Sequence, residues 1–178
     1  MTFRSGRLLT VLLVFVTIAC RGRHSRPEVK NEEPAGEAVL VSSLKMSDQT
    51  AAKQLVKGFY GLESGSWRWT AGQFQVLLRP PITAAQKGAT LTFTFSIPDV
   101  TIQKLHEVTL TASVGGTKLK SERYSKSGAY TYSADVLPSQ LSGETLTVDF
   151  SLDKSLPAGS VDQRELGLVA TAVGLETK

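Results

Sequence analysis

The residues best suited to chemistry are concentrated in two short segments that lie far apart in the sequence. The first, residues 58–69, contains both tryptophans of the chain together with other aromatic and charged residues. Aromatic faces stack on sugar rings, and neighbouring polar groups can form hydrogen bonds to sugar hydroxyls. The segment therefore predicts a ligand-binding site for a glycan. Its candidate residues are Tyr60, Glu63, Trp67, Arg68 and Trp69.

A structural role for the same segment stays open. Side chains alternate between the two faces of a strand, so Trp67 and Trp69 would share one face and Arg68 would take the other. The two tryptophans would then fill a hydrophobic core, and Arg68 would pair with a carboxylate.

The second segment, residues 153–168, is a charged loop that leads into a strongly apolar stretch. Asp162 is placed to cap a turn by accepting hydrogen bonds from backbone N–H groups. Arg164 has two candidate partners, Glu63 and Glu165. We expect Asp162, Arg164 and Glu165 to act as a structural latch.

The sequence carries no recognisable catalytic or metal-binding motif. It has two histidines and lacks the HExxH, CxxC, GxSxG and Walker-type patterns. We interpret His106 and Glu107 as a surface pair, and we expect no catalytic residue, no metal and no cofactor. An enzyme that uses two carboxylates stays open, because such a pair need not be adjacent in sequence.

Cys20 is the only cysteine, and it follows the apolar run Leu8 to Ile18. The run has the length of a signal-peptide core and is shorter than the ~20 residues that span a bilayer. Residues 17–20, Thr-Ile-Ala-Cys, resemble the lipobox of bacterial lipoproteins, with Thr17 where Leu is usual. The resemblance implies cleavage before Cys20 and attachment of acyl chains to it, which would hold the protein on a membrane.

The lipobox resemblance also implies a cellular location and a domain organisation. Arg21, rather than Asp, follows the cysteine, which favours the outer membrane of the bacterial cell envelope. We expect a signal peptide over residues 1–19, a lipidated cysteine and flexible tether over 20–37, and a folded domain over 38–178. An ordinary secreted protein cleaved near Ala19 is the alternative.

Alternating apolar and polar residues dominate the chain after residue 38. Alternation of this kind predicts strands with one buried and one solvated face. The predicted strands are 74–78, 90–97, 107–114, 117–123, 130–136, 145–152 and 166–175. They favour an all-β fold, an antiparallel β-sandwich of jelly-roll or galactose-binding-like type. A short helix is predicted over Asp48–Lys57, before the first core strands, with Gly58 ending it.

The charge pattern argues against nucleic acid as a partner. The formal net charge is +4, and removal of Arg4 and Arg7 would leave 18 of the 20 basic residues against 16 acidic ones. No stripe of Lys and Arg with interleaved aromatics is present.

Short motifs in the two segments carry a second resemblance. Gly-Phe-Tyr-x-Leu-Glu over residues 58–63, Arg-Trp at 68–69 and Asp-x-Arg-Glu-Leu-Gly over 162–167 resemble a small β-sandwich domain. That domain accompanies bacterial glycosyltransferases and methyltransferases of surface-polysaccharide pathways and also occurs alone in lipoproteins. The resemblance covers residues 57–175 and implies a binding module rather than a catalyst. We therefore expect a lipid-anchored, non-catalytic sandwich that binds a glycan or another envelope component. The alternatives are an assembly lipoprotein that docks a partner protein and, least favoured, a carboxylate-based envelope enzyme.

Overall fold

The computed structural model describes residues 39–178, which form an antiparallel β-sandwich. The predicted signal peptide, Cys20 and the whole of the predicted tether lie outside the described residues. The strands are β1 Ser43–Lys45, β2 Leu55–Phe59, β3 Arg68–Leu78, β4 Ala89–Ile97, β5 Val108–Val114, β6 Thr117–Tyr124, β7 Gly128–Val136, β8 Leu146–Leu152 and β9 Val169–Thr177. Two short α-helices, α1 Ala84–Lys87 and α2 Asp99–Leu105, and two 3₁₀ helices, Gln49–Lys53 and Pro138–Gln140, connect them.

Strand β3 belongs to both sheets of the sandwich. One sheet has the order β1-β9-β4-β7, and the other has the order β2-β3-β8-β5-β6. Arg68 and Trp69, at the start of β3, pair with β9, whereas Gln73 to Leu78 pair with β8. The predicted antiparallel sandwich is confirmed, and β3 is the strand that crosses between its layers.

The hydrophobic core follows the alternation read from the sequence. In β4, Leu91, Phe93, Phe95 and Ile97 are buried, and the residues between them are partly exposed. The rings of Phe74, Phe93 and Phe150 pack together with centroids 4.9–5.4 Å apart. Aromatic residues from both sheets thus fill the space between the layers.

The start of the domain differs from the sequence prediction. Only Gln49–Lys53 of the predicted helix is helical, and it is a 3₁₀ helix. Leu55 to Lys57 belong instead to β2, because Leu55 pairs with Val76 of β3 and packs against the core. The gain from this tertiary pairing outweighs the helical preference of the local composition. Helix α2 was not predicted, although Pro98 and Asp99 at its start are a typical helix-initiation pair.

The chain enters the sandwich at one end, beside Gln54 and Arg79, and the tip of the β2–β3 hairpin lies at the other. The carbonyl of Val41 accepts a hydrogen bond from Arg79, just after the end of β3. The buried Gln54 side chain holds Val41 through both its backbone groups, at 2.9 and 3.1 Å. Arg68 begins β3 at the opposite end, roughly 30 Å away at the usual rise per residue of a strand. Among the described residues, no helix is long and apolar enough to cross a bilayer.

Candidate functional site

The first candidate segment forms the tip of the β2–β3 hairpin. The N–H of Tyr60 donates to the Trp69 carbonyl at 2.9 Å, and the N–H of Glu63 donates to the Trp67 carbonyl at 2.8 Å. Ser64 and Gly65 make the turn with positive φ angles of 49° and 63°. Tyr60, Glu63 and the two tryptophans therefore lie within one compact hairpin.

Both tryptophans lie outside the hydrophobic core. Alternation along β3 places Phe74 and Val76 in the core and Trp67 and Trp69 on the outer face. Each indole is partly exposed. The two rings contact each other edge to face, with centroids 6.4 Å apart and planes at 84°. The interpretation that these residues fill the core is wrong.

Arg68 takes the opposite face of β3 from the tryptophans. Its Nη1 donates to the Tyr60 carbonyl at 3.1 Å. Its Nε is buried without a hydrogen-bond partner among residues 39–178, and no carboxylate in that range forms a salt bridge with it. Arg68 supports the hairpin backbone and does not share the surface of the two indoles.

Arg164, from the second segment, lies against the hairpin. Its Nη1 is 2.9 Å from Glu63 Oε1, and it contacts Asp162 through Nη2 at 2.9 Å and Nε at 3.1 Å. Its guanidinium carbon lies 5.0 Å from the centre of the Tyr60 ring, within cation–π range. We call these four residues, Tyr60, Glu63, Asp162 and Arg164, the Arg164 cluster.

Hydrogen bonds within the Arg164 cluster favour the charged forms of Asp162 and Arg164. Hydrogen bonds from the Arg164 side chain, and then from its backbone N–H, lower the pKa of Asp162 from 3.8 to about 2. Hydrogen bonds to Asp162 and Glu63 raise the pKa of Arg164 further above its usual range. Each of the three charged side chains is about a third exposed, so solvent screens these pairs. Their main effect is to orient the side chains at the surface.

Glu165 substitutes for a missing strand partner of β3. Its Oε1 accepts hydrogen bonds from the Gly72 N–H at 3.1 Å and from Ser155 Oγ at 2.5 Å. Gly72 lies where β3 has left β9 and has not yet begun to pair with β8. The Tyr60 hydroxyl donates to the Glu165 carbonyl at 2.8 Å and so reaches across β3 from the β2 side. The Glu165 side chain and the Tyr60 hydroxyl thus join the hairpin to the loop of the second segment.

The structure therefore brings the two predicted segments together. Glu63 and Arg164 are separated by 101 positions in the sequence, and Tyr60 and Glu165 by 105. Glu63 is one of the two partners expected for Arg164. The latch role and the ligand-binding role of these residues stay predictions.

Sequence reasoning missed Gly72 and Ser155, which hold Glu165. A glycine inside a strand pattern is a signal for close approach of another group, and Gly72 carried that signal. In the described part of the chain, no three His, Cys, Asp or Glu side chains are grouped so that they could hold a metal ion.

No model of a protein family and no curated protein sequence matches the chain. Among solved structures, it is similar to the CBM51-2 and INT domains of ZmpB from Clostridium perfringens, at 11% identity and a TM-score of 0.37. That match covers 77% of this chain but only 28% of the ZmpB chain. A second structure of the same domains, with CBM51-2 in complex with GlcNAc, gives 12% identity and a TM-score of 0.37. A CBM4 structure gives 12% identity and a TM-score of 0.32, covering 75% of this chain and 81% of the other.

Proposed function

We propose that this domain is a non-catalytic glycan-binding module that a lipid on Cys20 holds at the bacterial envelope. The observation that carries the glycan-binding part is the position of Trp67 and Trp69. They are the chain's two largest aromatic side chains, and both lie partly exposed on the outer face of β3. A pair of large aromatic side chains left partly exposed forgoes part of its burial energy, and such apolar surface is typical of a recognition site.

The groups beside the indoles suit a polar ligand. Glu63 lies directly across the hairpin from Trp67, and its carboxylate is held by Arg164. The carboxylates of Glu63 and Asp162 have further lone pairs that can accept hydrogen bonds from sugar hydroxyls. An apolar ring face next to oriented hydrogen-bonding groups matches a sugar, which has apolar C–H faces and polar edges.

The same cluster argues against Asp162 as a catalytic acid. A glycosidase that uses two carboxylates needs one of them to hold a proton. Asp162, with a pKa of about 2, is ionised at neutral pH. Glu63 and Asp162, the two carboxylates that meet at this site, both contact one guanidinium. Their geometry favours a binding surface over a catalytic pair.

The binding proposal is tested with the full-length protein on a glycan array and by titration with the glycans that bind. Trp67→Ala and Trp69→Ala should each weaken binding at least about tenfold, because truncation of a central aromatic contact costs more than about 1.4 kcal/mol. The matched control is Val56→Ala, which removes a side chain that is 54% exposed in the same hairpin. Unchanged binding in both folded tryptophan variants would refute the proposed site. A protein partner that depends on the tryptophans, without sugar binding, would favour the docking lipoprotein.

The anchoring part of the proposal rests on the lipobox-like residues 17–20 and on Arg21 after Cys20. Cys20→Ser should abolish incorporation of radioactive fatty acid and leave unprocessed precursor. The control is Ser25→Ala, which alters a nearby residue without touching the cysteine. Normal processing and membrane retention of the Cys20→Ser protein would contradict lipid anchoring at Cys20. Membrane fractionation of the native protein tests whether it is located in the outer membrane.

A further inference from the structure

The two indoles of the proposed site meet at a corner. Their planes are at 84°, with centroids 6.4 Å apart. A sugar ring that stacks on the face of one indole therefore presents its edge, rather than its face, to the other. Together the two rings can contact one sugar unit on two sides, but they cannot offer parallel faces to two successive units.

The Tyr60 ring, which lies beside the indoles in the hairpin, does not extend this surface. One face of the Tyr60 ring is covered by the Arg164 guanidinium at 5.0 Å. The hydroxyl is engaged by the Glu165 carbonyl, and the side chain crosses β3 to reach it. Arg164 in turn is held by Glu63 and Asp162. Uncovering the Tyr60 face would break these ionic hydrogen bonds, so stacking at that ring is disfavoured.

We infer that the Trp67–Trp69 corner recognises a single sugar unit, at the end or at a branch of a glycan, and not the flat face of a long chain. This inference rests on the proposed glycan-binding function and adds the class of ligand. A ribbon-like glycan needs several aromatic faces in one plane. Because the two indoles are perpendicular and Arg164 covers one face of Tyr60, the corner offers one indole face for stacking, with the second indole beside it.

The test measures affinity against glycan length. Full-length protein is titrated with the monosaccharide that the array identifies and with a ladder of its linear oligomers, at equal concentrations of chain ends. Both tryptophans of the chain are in the corner, so their fluorescence reports occupancy directly. The affinity should stay constant within about twofold beyond the disaccharide. A coplanar platform would instead gain about two- to tenfold for each added stacked unit.

Blocking the chain end supplies a second readout that needs no variant protein. Capping the non-reducing end of the best linear ligand with a bulky substituent should abolish binding, while the same substituent at the reducing end should not. Should the reducing-end cap alone abolish binding, the recognised unit is the other terminus, and end recognition still stands. Undiminished binding by an oligomer capped at both ends would overturn the inference.

The tryptophan variants separate a corner from two independent contacts. At a corner, Trp67→Ala and Trp69→Ala should each weaken binding of the same monosaccharide, with Val56→Ala unchanged. If affinity rises with every added unit, or if one of the tryptophan variants binds the monosaccharide normally, the corner is refuted and glycan binding is kept. If the folded protein binds no sugar on the array, the proposed function fails and the corner inference fails with it.

Discussion

Gly58 is the position where a single methyl group should displace the hairpin that carries the candidate site. Its φ is 72°, and a Cβ built there would lie 2.1 Å from the Gln73 carbonyl oxygen and 2.7 and 2.8 Å from Phe74 Cα and Cβ. These contacts are with the backbone and the inner part of β3, which cannot move as a flexible side-chain tip can. Gly58→Ala therefore adds conformational strain and a steric clash at the point where β3 crosses between the sheets.

The strain and the clash at Gly58 both destabilise the folded state. The left-handed conformation costs a residue with a Cβ about 1–2 kcal/mol, and overpacking a tight contact costs about 1–3 kcal/mol more. The sum, roughly 2–5 kcal/mol, is a large fraction of the ~5–15 kcal/mol that stabilises a domain. At about 2–4 °C per kcal/mol for a domain of this size, Tm should fall by roughly 10 °C.

Two other glycines of the hairpin provide matched controls. Gly65 has a φ of 63° but nothing within 4 Å of a built Cβ, so Gly65→Ala carries the strain alone. Gly61 has open space and no positive φ, so Gly61→Ala should leave Tm unchanged or raise it slightly. Thermal unfolding of the full-length proteins, followed by circular dichroism, ranks them as Gly61→Ala, Gly65→Ala and Gly58→Ala in order of falling Tm.

Binding measurements connect this stability effect to the site. Below its Tm, the Gly58→Ala protein should still bind glycan more weakly than the Gly65→Ala protein, because the clash moves the strand that leads to the corner. A Tm for Gly58→Ala equal to that of Gly65→Ala would refute the reasoning, since it would show that β2 withdraws from β3 without an energetic penalty.

Three further substitutions test other contacts of the domain. In a urea titration, Glu165→Ala should lower the free energy of unfolding by about 1–2 kcal/mol, because the Gly72 N–H loses its acceptor. Glu165→Gln keeps an acceptor and should lower the free energy of unfolding by less. Arg164 lowers the pKa of Asp162 from 3.8 to about 2, so between these pH values the native state binds fewer protons than the unfolded state. The stabilisation of the folded state by this pair is therefore fully present above pH 3.8 and is lost as the pH falls through 2. Asp162→Asn should remove that part of the acid dependence, and an unchanged slope of urea stability between pH 5 and 2 would contradict it. Gln54→Ala should destabilise the domain by about 1–3 kcal/mol and speed hydrogen exchange at the Val41 N–H, because it removes a buried side-chain amide that bonds both backbone groups of Val41. Equal exchange rates in the two proteins would show that Gln54 does not hold the backbone at Val41.

The sequence predicted most core strands because their pattern is local. In β4 and β5, alternate residues are apolar, and a one-residue shift would expose all of them. The β5–β6 hairpin was predictable from Gly115-Gly116, whose φ angles of 56° and 80° suit a tight turn. Strand β2 was not predictable in this way, because its Leu55 is held by pairing with Val76, and such a partner is not visible in the local pattern.

The candidate site was predictable in its parts and not in its assembly. Residue types singled out both segments, and strand alternation placed the two indoles on one face. Their exposure depends on how β3 crosses from one sheet to the other, which no local pattern encodes. From the sequence alone, either Glu63 or Glu165 could pair with Arg164. The pair with Glu63 forms because the fold brings together two residues that are 101 positions apart in the sequence.

The opposite placement of the chain entry and the hairpin tip has a mechanical consequence. Tension between a ligand held at the tip and the chain before Val41 would run along the strands, parallel to β1 and β3. The hydrogen bonds between β1 and β9 are perpendicular to that direction, so they would be loaded together in shear rather than opened one after another. A pull between the hairpin tip and the chain before Val41 would therefore have to break the β1–β9 hydrogen bonds together.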